Sequence, residues 1–366
     1  MNRSYKSMNE LNFSVGPVLM DEEILNIGQQ QIPYFRTQEF SKVMIENESL
    51  IKKISRAEEK SRVVFLTSSG TGAMEASIIN TLTEDDLVLV INGGSFGKRF
   101  SEICEIHEIP HIDINLNYGE VLTKKHLDKY KDKNITAVLV NIHETSTGIL
   151  YDINLLSEFC KEKKCLFIVD AISSFLADNI EMKEKNIDVL ILSSQKALAL
   201  PPGIAILILS ERAVKRVQNI NSKSMYFNLK DYLKNGERGQ TPFTPAVSIL
   251  LQLNLRLRSI DSVGVENVIE NTRIISDDFR NKIVKLPFEV VNNKKSNAVT
   301  VLKPLGKMKA YDIFEYLKDN YNIFVCPNGG ELKDKIFRVG HIGNLSIEKN
   351  DILINALKDM NKKGMF

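Results

Sequence analysis

Two apolar runs in this chain end in side chains able to move protons or form covalent bonds. Phe167-Ile168-Val169 leads into Asp170, and Asp188-Val189-Leu190-Ile191-Leu192 leads through Ser193-Ser194-Gln195 to Lys196 and then into Ala197-Leu198-Ala199-Leu200. A carboxylate at the end of a buried strand is costly unless something cationic or donating faces it. A lysine among apolar neighbours loses its proton readily and becomes a nucleophile or base. A third segment, Thr67-Ser68-Ser69-Gly70-Thr71-Gly72-Ala73-Met74-Glu75, follows an apolar run and opens a helical pattern. Hydroxyls and glycines at a helix N-terminus offer free N–H groups and the positive end of the helix dipole, which suits a phosphate. Each segment also has an ordinary reading: a solvated strand-end aspartate, a surface lysine, and an N-capped glycine-rich turn. The third is neither a Walker loop nor a full G-x-G-x-x-G, so it implies a phosphate without implying a nucleotide.

The elements that must position these groups are legible as short β-branched runs alternating with helical patterns. Strands are predicted at Arg62–Leu66, Leu87–Ile91, His111–Asn115, Thr136–Ile142, Cys165–Val169, Val189–Leu192 and Ile204–Leu209. Helices are predicted near Gly72–Thr83, Phe96–His107, Lys124–Lys131 and Ile153–Lys163. Such alternation indicates an α/β domain with a mainly parallel sheet, whose ligands bind beyond the carboxyl ends of the strands. After Pro245 the rhythm changes to long helical patterns, followed by short strands at Phe288–Val291, Ala298–Leu302, Ile323–Cys326 and Ile336–Val339. Helices near Met308 and Ile347–Asn361 complete a smaller α+β unit. The predicted division is a large α/β domain over 13–250 and a small C-terminal α+β domain over 251–366, with the N-terminal segment 1–20 packing near the latter.

An anion cradle, a strand-end Asp and a strand-end Lys together match the needs of pyridoxal 5′-phosphate (PLP): phosphate donors, a carboxylate for the ring nitrogen, and an amine for an imine. With these residues in view, the chain resembles the class V (fold-type I) PLP-dependent aminotransferases. The resemblance is nearest the alanine/serine–glyoxylate or –pyruvate branch, with 2-aminoethylphosphonate–pyruvate aminotransferases as near relatives. It rests on Val15-Gly16-Pro17, Ser69-Gly70-Thr71-Gly72-Ala73-Met74-Glu75, Phe96-Gly97-Lys98-Arg99, His143-Glu144-Thr145-Ser146-Thr147-Gly148, Asp170-Ala171-Ile172-Ser173-Ser174, Ser194-Gln195-Lys196 and Arg338-Val339-Gly340-His341, which run in family order over nearly the whole chain. The resemblance implies that Lys196 is the Schiff-base lysine and proton shuttle, and that Asp170 partners the ring nitrogen. It places Ser69, Gly70, Thr71 and Gln195 at the phosphate, with Thr244 reaching the phosphate of a second subunit. Phe96 would stack on the ring, with Ile172 on its other face. Thr145 would bond the ring's 3-oxygen region or Asp170. Arg338 would grip the substrate carboxylate in a bidentate fork, near the backbone of Gly16. A homodimer is implied in the same way.

The pattern also departs from the family. His143 adjoins Glu144 where relatives space the two, so the resemblance gives His143 no role. Val15-Gly16-Pro17-Val18 lacks the second glycine of the family's Gly-Pro-Gly, a change expected to narrow or reshape the substrate side. Gln195 favours the alanine/serine–glyoxylate branch. With 17 Phe and 10 Tyr but no Trp, the chain must use Phe96 where relatives often stack an indole.

Competing chemistries are less well supported. His107-Glu108-Ile109-Pro110-His111 spells H-E-x-x-H, but Pro110 breaks the helix that a zinc site requires, and no metal is expected. Cys326 invites a cysteine desulfurase reading, yet it precedes Pro327-Asn328-Gly329-Gly330 and not a Ser/Gly-rich loop. An oxidoreductase built on Gly70-Thr71-Gly72 needs an acidic residue after the next strand, where Asn92-Gly93-Gly94 stands. A silent binding protein on the same fold would not need Lys196, Asp170 and Arg338 together. Cys104, Cys160, Cys165 and Cys326 read as small buried hydrophobes. The length of 366 residues, 43% hydrophobic and 26% charged content, and a net charge of +2 describe an ordinary globular chain with no expected nucleic-acid partner. No apolar run approaches a membrane span, and the polar stretch Met1 to Asn12 lacks a signal-peptide core, so a cytoplasmic protein is expected.

Overall fold

The structure, a computed structural model, describes residues 10–291 and 295–366. It opens with strand β1 (Leu11–Phe13) and helices α1 (Glu22–Gly28) and α2 (Gln38–Ile54). The predicted alternation follows: β2 (Arg62–Thr67), α3 (Gly70–Thr81), β3 (Val88–Asn92), α4 (Ser95–Ile106), β4 (His111–Asn115) and α5 (Lys124–Asp128). Next come β5 (Ala137–Asn141), a hairpin of β6 (His143–Glu144) and β7 (Ile149–Leu150), α6 (Ile153–Lys163), β8 (Leu166–Asp170), β9 (Val189–Ser193) and β10 (Ile204–Leu209). Helices α1 and α2 have no counterpart in the alternation of apolar runs. The signal for α2 is its spacing: Phe40, Met44, Asn47, Ile51 and Ile54 are buried at helical intervals behind the N-cap Thr37.

Seven strands form one sheet in the order β2-β10-β9-β8-β5-β3-β4, parallel except for β10, which runs against both neighbours. Its central strands β5, β8 and β9 are apolar up to a polar last residue because both faces are covered. In β10, Ile204, Ile206 and Ile208 enter one core while Ala205, Leu207 and Leu209 enter the other, the two-residue period of a strand. The reversal of β10 aside, this is the mainly parallel α/β sheet that the alternation predicts.

The second half contains α7 (Glu211–Asn219), α8 (Leu229–Gly236), α9 (Val247–Val263) and α10 (Val265–Ile283). It continues with β11 (Phe288–Val290), β12 (Val299–Pro304), α11 (Ala310–Tyr321), β13 (Ile323–Pro327), β14 (Phe337–Gly340) and α12 (Ile347–Lys362). The small sheet runs β1-β13-β14-β12-β11. Its core contains Phe279, Ile313, Leu317, Phe337, Leu353 and Leu357. Strand β1 lies parallel to β13, with Leu11 opposite Ile323, so the first described strand is part of the small sheet. A division at 250/251 falls within α9, whose Leu250, Leu253, Leu257 and Ile260 pack in the large core; on packing, α9 goes with the large unit. Among the described residues, no helix is long and apolar enough to cross a membrane.

Candidate active site

At the carboxyl ends of β5, β8 and β9, where ligands of such sheets bind, a cavity of about 130 Å³ opens. Nine residues singled out in the sequence line it: Ser69, Gly70 and Thr71 at the start of α3, Phe96 in α4, Thr145 in the β6–β7 turn, and Asp170, Ile172, Gln195 and Lys196 beyond β8 and β9. Met74, Arg99, Asn141 and Ser173 line it as well.

Asp170 is the last residue of β8 and is 1% exposed. Its Oδ1 accepts the Ile172 N–H at 2.8 Å and its Oδ2 accepts from Asn141 Nδ2 at 2.7 Å. Burial still outweighs these bonds and pushes the carboxyl up to about 6. Lys196 faces the opposite imbalance: burial brings its ammonium down to about 8, with the Arg338 charge acting the same way. Its Nζ donates to the Val15 carbonyl at 2.8 Å. The cavity therefore sets an undercompensated carboxylate near an amine that sheds its proton easily.

The other end of the cavity is the N-terminus of α3. Ser69 precedes the helix without capping it through its side chain, which leaves the hydroxyl and the first N–H groups for a ligand. A Cβ on Gly70 would lie 2.4 Å from Ile172 Cδ1, so a side chain there would push Ile172 away from the helix end. Arg99 adds a positive charge here: its Nη1 donates to Thr71 Oγ1 at 3.1 Å, and its guanidinium sits 5.0 Å from the centre of the Phe96 ring. Gln195 Oε1 accepts from Ser193 Oγ at 2.6 Å. A phosphate at the helix end, a protonated ring nitrogen at Asp170 and an aldehyde carbon at Lys196 are what this donor set would accept, so the residues fit PLP.

Three singled-out residues lie outside the lining. Gly16 has φ +130°, and a Cβ there would come 2.6 Å from Lys196 Cδ, so its backbone is pressed against the lysine stem. Arg338, on β14, is 9% exposed and donates to the carbonyls of Thr145 (3.2 Å) and Pro327 (2.8 Å), while its Nε is buried with no partner. Thr244 is exposed and lines a separate apolar groove with Ile32, Tyr34 and Phe35. Thr145, expected at Asp170 or the ring oxygen, makes no bond to Asp170. Its hydroxyl pairs with Ser173 Oγ at 2.7 Å and donates to the His143 carbonyl at 3.3 Å.

Sequence reasoning gave no role to Asn141, nor to Ser173 and Glu144, which it quoted only within motifs. Asn141 ends β5 directly opposite Asp170 in the sheet register, and the polar end of the apolar run Val138–Val140 was its available signal. Glu144 is fully buried, and its Oε2 accepts the N–H groups of Phe96 (3.2 Å) and Gly97 (3.0 Å). It caps α4 from a distant hairpin and so orients the Phe96 ring. His143 bonds Ser173 Oγ at 2.9 Å, and burial brings its imidazole down to about 3, so it is neutral. In the H-E-x-x-H string, α4 ends at Ile106 and His111 begins β4, which separates the two histidines. Among the described residues no cluster could hold a metal ion.

Comparison with known proteins gives the setting. A family model described as aminotransferase class-V matches residues 32–331. A protein named soluble hydrogenase, small subunit, from Synechococcus sp. is 32% identical over 336 residues, 90% of this chain and 86% of that protein. A serine–glyoxylate aminotransferase of Arabidopsis thaliana is 27% identical over 353 residues, 91% of this chain and 86% of that one. In fold, a ureidoglycine–glyoxylate aminotransferase of Bacillus subtilis is similar at TM-score 0.91 and 22% identity, over 97% of this chain and 93% of that one.

Proposed function

The chain belongs to the class-V aminotransferases, a family of PLP-dependent enzymes, and on that premise we propose that it exchanges an amino group between a small amino acid of the alanine or serine type and glyoxylate or pyruvate. The observation that carries this reading is the meeting of Asp170, Lys196 and the open start of α3 around one cavity, with Arg338 at its edge. Glyoxylate recurs in the names of the compared aminotransferases while the donors differ, which supports a short 2-oxo acid as acceptor.

PLP would be held by Ser69, Gly70, Thr71 and Gln195 at its phosphate, by Asp170 at its ring nitrogen and by Lys196 at its aldehyde, and when bound it supplies the electron sink that makes the amino acid's Cα–H acidic. Asp170, ionised by a cationic partner, stabilises positive charge at the floor. Lys196 Nζ, brought down to about 8 by burial, holds the proton taken from Cα and returns it. Arg338 gives up the Thr145 and Pro327 carbonyls, and the fork thereby freed binds the substrate carboxylate at both oxygens. Val15 and Gly16 close the lysine side of the cavity.

Thr244 lies outside the cavity, in the apolar groove with the exposed Ile32 and Tyr34. This position supports a homodimer in which a second copy covers the groove and Thr244 serves its cavity. The deciding experiment is a panel of alanine, serine and 2-aminoethylphosphonate against glyoxylate and pyruvate, with PLP content read from the visible absorption of the purified protein. Turnover of alanine or serine is expected. Exclusive use of 2-aminoethylphosphonate would move the assignment to that branch, and a protein that binds no PLP would overturn it.

A further inference from the structure

The turn between α6 and β8 lies at the amino-terminal end of the central strand of the large sheet, the opposite end from the cavity, and it brings two cysteines together. The Cys165 N–H bonds the Cys160 carbonyl at 3.1 Å, the Lys164 N–H bonds the Lys161 carbonyl at 3.2 Å, and Lys164 adopts the left-handed conformation, φ 53° and ψ 26°. This is the Schellman arrangement, in which the side chain three positions before the cap meets the one two positions after it, usually as an apolar contact. Here that contact is formed by two thiols. Both are 2% exposed yet line a cleft of about 280 Å³ that is open to solvent, with Lys161, Lys164 and Arg212 at its margin. Arg212 Nη2 donates to the Cys165 carbonyl at 2.8 Å, which sets the guanidinium over this residue, and its Nε is shared with Asp188 at 2.8 Å.

We propose that Cys160 and Cys165 form a redox-active dithiol, which a hydroperoxide entering this cleft oxidises to an intramolecular disulfide. The two sulfurs have distinct roles. The Cys165 thiol donates to the Cys160 carbonyl at 3.8 Å, and its residue is the one that Arg212 contacts through the backbone carbonyl. The neighbouring Cys160 sulfur and the Arg212 charge hold the Cys165 thiol below its ordinary range, whereas burial raises Cys160. Cys165 is the nucleophile. Its thiolate attacks one peroxide oxygen, the O–O bond breaks, and the departing oxygen takes up a proton as water or alcohol, leaving a sulfenic acid on Cys165. The Cys160 sulfur then attacks the Cys165 sulfur, the S–O bond breaks, and hydroxide leaves as water with the Cys160 proton. Two thiols lose two electrons, and the peroxide gains them. The other cysteines serve as internal controls. Cys104 is buried in α4 with its thiol pushed up to about 12, and Cys326 lies on β13 of the small unit.

The test treats the PLP-loaded protein with a slight excess of hydrogen peroxide, then alkylates the remaining thiols after unfolding and maps the peptides. Of the four free cysteines, Cys104 and Cys326 are expected to be alkylated, and Cys160 and Cys165 to be recovered as one linked peptide that dithiothreitol separates. In Cys160→Ala the reaction should stop at a sulfenic acid on Cys165 that dimedone traps. Wild-type protein with all four thiols still alkylated, or with a disulfide that joins two chains or involves Cys104 or Cys326, overturns the proposal. Because the mapping is done on wild type, the result does not depend on how well a variant folds.

Discussion

The floor of the cavity and its rim are built by different means. At the floor, Asn141 and Asp170 are the last residues of adjacent parallel strands and face one another in register. Sheet hydrogen bonds between apolar strands hold them, so their geometry is set before any ligand arrives. The rim comes from the small sheet and the segment leading out of β1. It touches the floor through long-range polar bonds to carbonyls: Lys196 to Val15, Arg338 to Thr145, and Asn328 Nδ2 to Ser146 at 3.1 Å. Each of these bonds can be exchanged for one to a ligand, and the unpartnered Arg338 Nε already leaves a donor over. The Asp170 carboxylate is thus mounted on the large sheet, and the Arg338 guanidinium, held only by carbonyls, is mounted on the small one.

Substitutions on the two sides should fail differently. Lys196→Ala should have the largest effect, a loss of about 10⁴-fold in kcat, with borohydride no longer fixing PLP to the chain. Asp170→Asn, at the floor, should lower kcat by about 10²–10³-fold while KM for the amino acid changes little. Arg338→Gln, at the rim, should show the reverse, a KM for the donor raised by about 10–100-fold with the visible spectrum unchanged. Arg338→Lys should recover only part of this, because an ammonium cannot form the fork. A kcat defect in Arg338→Gln equal to that of Asp170→Asn would erase the distinction.

Smaller effects should appear in the pH dependence of stability before PLP is added. The folded Asp170 carboxyl is raised from an ordinary 3.8 to about 6, so its contribution is fully present below pH ~4 and is lost as the pH rises through ~6. Asp170→Asn should remove that part of the decline in urea midpoint, leaving the part due to Asp178, which is likewise raised to about 6 by burial. Lys196 is lowered to about 8, so its contribution is present above the ordinary 10.5 and is lost as the pH falls through ~8. Addition of PLP to the amine should accelerate with pH, reach half its plateau near pH 8 and level off above it. The smallest expected effect is that of Asn328→Ala, which removes one neutral bond between rim and floor and should cost about 1 kcal/mol, read as a lower melting temperature.

Local pattern marked what directly followed an apolar run, and the family resemblance added Phe96, Thr145 and Ile172 to the lining. Asp170, Lys196 and Ser69–Thr71 stand at chain positions where a strand stops, so local pattern alone marks them. Asn141 stands in the same kind of position, yet its partner comes from another strand and depends on register. Glu144 was out of reach for a stronger reason: nothing near it in sequence shows that it caps a helix some 50 residues away. Helix α2 carried a readable helical period, whereas the reversal of β10 could not be read because direction leaves no trace in an apolar run.

What the sequence determined by itself was therefore the alternation of layers and the chemistry attached to strand ends, since burial periodicity and side-chain type are local properties. Only the tertiary structure decided which of those ends meet, which donors satisfy Asp170, and that Thr145 bonds Ser173 and not Asp170. It also decided that Cys160 and Cys165, which in sequence are two small hydrophobes, share a turn and a cleft. These outcomes depend on strand register, helix placement and the dielectric of the finished interior, and none of these exists until the chain has folded.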